Sequence, residues 1–155
     1  MDLLSDEYAP ATSDPLDAVE QAVIAEQYPY DREENGELHL SVPGAWRDHQ
    51  MWFAWRPELD ALHICSSLDL KVTSNRFRDV CELVARLNEK LWLGHFDVWV
   101  EDGSVVYRHA ISLPAGDNVS PAQAATMMAA APEAGEPSSP AFPLRIWGGD
   151  NVAEA

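Results

Sequence analysis

Apolar and polar positions alternate along this chain in two rhythms, one helical and one extended. In "SDPLDAVEQAVIAEQ", Leu16, Val19 and Val23 recur at spacings of three and four beside Ala22, which predicts a helix over 15–26. Asp14 is placed to cap it, Pro15 suits its first position and Asp17 favours the positive end of its dipole. "ELHLSV" switches to a period of two, with Leu38, Leu40 and Val42 on one face and Glu37, His39 and Ser41 on the other. The preceding "ENGE" signals a hairpin. A two-residue turn at Asn35-Gly36 would set Asp31 opposite Leu40 and Glu33 opposite Leu38, so a longer loop or a bulge is expected.

"HQMWFAWR" (49–56) is apolar on both faces, Met51, Phe53 and Trp55 one way and Trp52 and Ala54 the other, as in a central strand covered on both sides. After a turn at Pro57, "ALHICSSLDL" carries Leu62, Ile64, Leu68 and Leu70 at even spacing. Residues 74–91 hold the clearest helical stripe: Phe77, Val80, Cys81, Val84, Leu87 and Leu91, with Ser74 as cap and Gly94 as stop. Asp102-Gly103 marks a second hairpin. Pairing Glu101 with Ser104 sets Val100 opposite Val105, Val98 opposite Tyr107, Phe96 opposite His109 and Asp97 opposite Arg108. A short helix follows Ser120 and Pro121 and is expected to end before Pro132.

These elements predict an α+β fold, an antiparallel sheet packed by helices. The chain divides into a loose acidic N-terminus (1–13), one α+β domain (14–131), a Pro/Ser/Gly linker (132–140), and an apolar anchor segment with a tail (141–155). A length of 155 residues suits one core.

Charge narrows the partners. The net charge is −16, and residues 1–37 hold eleven acids against Arg32 alone. Binding to nucleic acid needs cations that displace counterions from phosphate, so this balance argues against it, and against an anionic membrane. A protein or peptide partner of basic character remains compatible. Cys65 and Cys81 fall in apolar contexts and read as reduced thiols. "MDLLSDEYAP" has no basic region or long apolar run, so a secretory signal is not expected, and no stretch has the length of a membrane span. The expected location is the cytoplasm.

Candidate chemistry is sparse. His95 and His109 project from opposite faces of their hairpin, so they do not share an ion. His63 and Cys65 lie on one face of a strand and offer two ligands, but no third has a recognisable spacing. The sequence holds no nucleophile elbow, phosphate loop or dinucleotide fingerprint, and Gly148-Gly149 reads as a chain exit. No catalytic residue, metal or cofactor is therefore expected. The alternative is a small metal-dependent or small-molecule-binding enzyme using His63 and Cys65. Six tryptophans remain: Trp52, Trp55 and Trp92 are expected in the core, and Trp46, Trp99 and Trp147 are the candidates for partner binding.

The segments "FAWRPELDALHICSSLDLKV", "VARLNEKLWLGHFDVWVEDGSVVYRHAISL" and "PAFPLRIWGG" together resemble the YbjN family, described as bacterial sensory transduction regulators. The resemblance spans about residues 15–149 and is most specific in "LNEKLWLGHFDVW". It implies a fold similar to type III secretion chaperones, small acidic cytosolic α+β proteins that often dimerise and hold partner polypeptides. It supplies no catalytic residues. That family typically runs a long helix up to its "PAF…WGG" segment, which Pro132 and Pro137 are expected to interrupt here.

Overall fold

The structure is a computed structural model that describes residues 14–44 and 47–138, with side chains through residue 132. Six strands, β1 (Tyr30–Arg32), β2 (Glu37–Val42), β3 (His49–Arg56), β4 (Ala61–Lys71), β5 (His95–Val98) and β6 (Ser104–Ser112), form one antiparallel sheet. Their order is β1-β2-β3-β4-β6-β5. Three helices accompany it: α1 (Pro15–Glu26), α2 (Phe77–Asn88) and α3 (Pro121–Ser138). Leu16, Val19 and Val23 of α1, Val80, Leu83 and Val84 of α2, and Met127, Met128 and Ala131 of α3 join one core with Leu38, Leu40, Phe53, Leu62, Ile64 and Tyr107. All three helices thus serve the same face of the sheet. Among the described residues no helix packs on the other face, where β3 presents half-buried Trp52 and buried Ala54.

The first helix starts as its sequence dictates, with the Asp14 carboxylate accepting from the Leu16 amide at 2.9 Å. The turn after β1 is the longer loop expected: Glu33 N–H donates to Glu37 O at 2.9 Å around residues 34–36. Arg32 therefore stands opposite Leu38 on the helix side, and Asp31 opposite His39 on the open side. From that edge the Arg32 guanidinium reaches Asp14 at 3.1 Å, Asp17 at 2.8 Å and Glu20 at 2.7 Å, tying β1 to α1. The Tyr30 hydroxyl also donates to Glu20 at 2.6 Å, and with Arg32 it holds that carboxyl below the usual range.

The helical stripe at 74–91 is displaced at both ends. Residues Ser74–Arg76 form a 3-10 turn, so Ser74 does not cap α2, which begins at Phe77. Leu83 takes a buried place and Cys81 is only half-buried. The helix stops at Asn88, whose carboxamide pairs with both polar groups of the Phe96 backbone: Phe96 N–H donates at 2.8 Å and its carbonyl accepts at 3.1 Å. Asn88 thus acts as a one-residue strand on the edge of β5, and blocks it. The Tyr107 hydroxyl donates to Leu93 O at 2.7 Å. Gly94 lies between, at φ +73°, where a Cβ would stand 2.3 Å from that hydroxyl oxygen.

The second hairpin is shifted by two residues from the predicted register. Phe96 faces Tyr107, Val98 faces Val105, Asp97 faces Val106 and His95 faces Arg108. The cause is a four-residue loop, 100–103, closed by Trp99 N–H to Ser104 O at 2.8 Å and Gly103 N–H to Trp99 O at 2.7 Å. The end of β4 fixes this loop, since Val72 N–H donates to Gly103 O at 2.8 Å and a Cβ on Gly103 would stand 2.3 Å from Val72 O. A shift of two preserves which face each side chain takes. His95 and His109 therefore remain on opposite faces.

The last helix runs through Pro132 to Ser138, where a linker over 132–140 was expected. Proline there removes one amide donor. The preceding turns are held by Ala124, Met127, Met128 and Ala131 in the core, and packing against α1 supports them further. Residues 139–140 of that expected linker, and the N-terminal and anchor segments at 1–13 and 141–155, lie outside the described residues.

Replacing Asn88 with Ala removes both of its bonds to the Phe96 backbone. The expected cost is about 2 kcal/mol, read as a lower urea midpoint at unchanged slope.

Candidate functional site

The open face of the sheet is read directly from the register. Asp31, His39, Trp52, Cys65, Arg108 and His95 form one line across all six strands. His39 stacks on Trp52, with ring centroids 5.9 Å apart and planes at 22°. Trp99, one step beyond β5, tilts against the far side of Trp52 at 6.5 Å and 58°. Trp52 is therefore a half-buried member of the open face and not of the core. Trp55 does pack against the core.

The two residues that carried the enzymatic alternative lie two apart on β4 and share this face, His63 paired and Cys65 buried. Arg108 Nε donates to His63 Nε2 at 3.3 Å, so the imidazole lone pair that would bind a metal faces a guanidinium. Burial, and then the charge of Arg108, pushes the His63 pKa down. Arg108 also reaches Asp97 at 3.4 Å, a diagonal ion pair in place of the direct one predicted. Beside it Cys65 is fully buried, and burial pushes its thiol up to about 12, well away from the thiolate that nucleophilic or metal chemistry needs. No third ligand joins His63 and Cys65 among the described residues.

A three-donor cluster lies elsewhere. Glu33, Glu37 and His39 bring one donor atom each within 4.8 Å of one another at the β1–β2 hairpin. His39 Nε2 lies 3.0 Å from Glu37 and 3.8 Å from Glu33, and Arg56 takes the other Glu37 oxygen at 3.3 Å. His39 first, and Arg56 after it, hold the Glu37 carboxyl below its ordinary range. These pairings account for the cluster without an ion.

Among the described residues, four of the seven exposed large hydrophobic side chains flank β5. Trp92 is 97% exposed, Val100 82%, Leu93 50% and Trp99 37%. The expectation that Trp92 fills the core is thus overturned. The helix has ended at Asn88, and in the non-helical segment that follows Leu91 packs against the core while Trp92 does not. The joint that carries Trp92 and Leu93 is fixed by Asn88 on one side and Tyr107 on the other. At the opposite end of β5, Trp99 and Val100 open the hairpin tip, followed by exposed Glu101 and Asp102. Two hollows meet there. One of about 460 Å³ is lined by Val72, Ser74, Phe77 and residues 100–103, and the other of about 320 Å³ by Trp99, Val100, Glu101 and Asp102. Of the tryptophans singled out for binding, Trp99 is placed here, and Trp46 and Trp147 lie outside the described residues.

The fold and this surface define an α+β protein whose sheet is clad by helices on one face and bears an aromatic belt on the other. The YbjN family profile, described as "Putative bacterial sensory transduction regulator", matches residues 15–143, and the chain belongs to that family. The crystal structure of YbjN, "a putative transcription regulator from E. coli", is similar to it, with a TM-score of 0.51 and 14% sequence identity. The match covers 80% of this chain and 85% of that one, and shows a shared fold. No curated protein matches the chain. No helix among the described residues is long and apolar enough to cross a membrane.

Thiol chemistry separates the two cysteines. In the native protein at pH 8, a thiol-specific reagent is expected to modify half-exposed Cys81 first and Cys65 only at the rate of unfolding, with mass spectrometry of digests as the readout.

Proposed function

We propose that this chain is a non-enzymatic regulatory protein that acts in the cytoplasm by holding a protein or peptide partner. The observation that carries this reading is the concentration of exposed apolar side chains around β5: Trp92, Leu93, Trp99 and Val100 fall within nine consecutive residues. Exposed tryptophan and leucine on a joint pinned by side-chain hydrogen bonds supply anchors with little ordering entropy left to lose. Membership of the YbjN family, whose description is that of a sensory transduction regulator, supports it, and so does the engagement of Arg108 with His63 and Asp97. The chaperone-like role that the resemblance implies fits the same surface. Main-chain addition at β5 does not, since Asn88 holds Phe96 and the Asp97 carboxylate accepts from Val98 N–H at 2.9 Å. The contact is made by side chains.

A photo-crosslinking amino acid placed at Trp92 or Trp99 in the full chain in cells is expected to trap a protein partner. The same probe at Leu59, which is exposed but distant in sequence, is expected to trap none. Trp92→Ala should change stability by no more than about 0.5 kcal/mol while lowering capture of that partner about tenfold. Equal labelling from all three positions would defeat the proposal.

A further inference from the structure

The hairpin tip differs from the rest of the β5 surface in joining apolar hollows to carboxylates. We infer that it is a docking site for an extended polypeptide segment with an apolar side chain next to a lysine or arginine, an inference that rests on the partner-binding reading and adds the place and the chemistry. Val72, Phe77 and Val100 line the larger hollow, whose volume of about 460 Å³ is at the small end for ligand pockets and suits one or two side chains. Trp99 walls the smaller one. Val100 lines both, at 82% exposure.

Glu101 and Asp102 stand on the rim of both hollows. Lys71 reaches Asp102 only at 3.9 Å with 72% of its side chain exposed, so it neutralises little. An apolar side chain entering beside Val100 brings its neighbours against these carboxylates, and a basic neighbour gains where an acidic one is repelled. A second copy of the chain carries its own −16 charge to the contact, which disfavours it as the occupant. The tip is also rigid enough to select. Gly103 is held by Val72 at 2.8 Å, and Asp102 accepts from Ser104 N–H at 3.0 Å.

The test uses the full chain and two short synthetic peptides of equal length, one alternating leucine with lysine and the other leucine with glutamate. Backbone amide NMR locates binding and calorimetry measures it. The leucine–lysine peptide is expected to shift residues 99–103 with Val72 and Phe77, and the leucine–glutamate peptide is expected to leave them unmoved. Val100→Asp should weaken binding about tenfold, and Glu101→Gln about threefold at low salt, with the Glu101 effect fading as salt is raised. Both residues are exposed, and unchanged thermal melting confirms that the variants fold.

Shifts centred on Trp92 and Leu93, or equal binding of the two peptides, would overturn the inference and leave partner binding at β5 standing. Dimerisation in wild type that Val100→Asp abolishes would assign the tip to a second copy. Binding that appears only after deletion of residues 141–155 would assign it to the chain's own end. Either outcome refutes the inference. Absence of peptide binding together with absence of crosslinked partner at Trp92 and Trp99 would remove both readings.

Discussion

The carboxamide of Asn88 is the point on which the functional half of the molecule turns. One side chain ends α2, satisfies both outward polar groups of Phe96 and so positions β5 without a seventh strand. The Tyr107 hydroxyl secures the same joint from below by holding Leu93 O. With the backbone fixed on both sides, Trp92 has no route inward, and Leu91 keeps its place against the core. An exposed tryptophan on a loose loop could fold back and hide. This one stays outside because its neighbours' hydrogen bonds leave the chain one path.

The open sheet face shows the same economy. Its polar groups are engaged laterally, Arg108 with His63 and Asp97, and Glu37 with His39 and Arg56. Groups that look like chemistry one at a time are one another's partners when assembled. That mutual satisfaction, and the buried neutral thiol of Cys65, explain how a face with histidines, a cysteine and carboxylates can lack a converging reactive set among the described residues.

Much of the architecture was legible from periodicity and caps. The α1 boundaries follow from Asp14, Pro15 and the Leu16–Val19–Val23 stripe. The conflict of Asp31 with Leu40 foretold a longer turn before β2, since a two-residue turn would have buried acids. The second hairpin misled because Asp102-Gly103 advertises a tight turn, whereas Val72 docking on Gly103 selects a wider one, and that contact comes from β4. Pro132 misled for a related reason: a local cost was overridden by core packing of Met127, Met128 and Ala131. Near β5, Trp99, a candidate for partner binding from the sequence, is partly exposed at the hairpin tip, while Trp92, expected in the core, is almost wholly exposed. Trp52 could not be placed without knowing which sheet face the helices take.

The arrangement around Arg32 has a consequence of its own. The first thirty-seven residues contain eleven acids and this one base, so the segment carries an internal counterion fixed by covalent sequence. Its two terminal nitrogens serve different carboxylates, Nη2 toward Asp14 and Nη1 toward Asp17 and Glu20. A lysine at this position would keep the charge but lose the fork, because a single ammonium cannot span three sites set around a planar guanidinium. The identity of position 32 is thus dictated by shape as well as by sign, and arginine is the side chain that meets both.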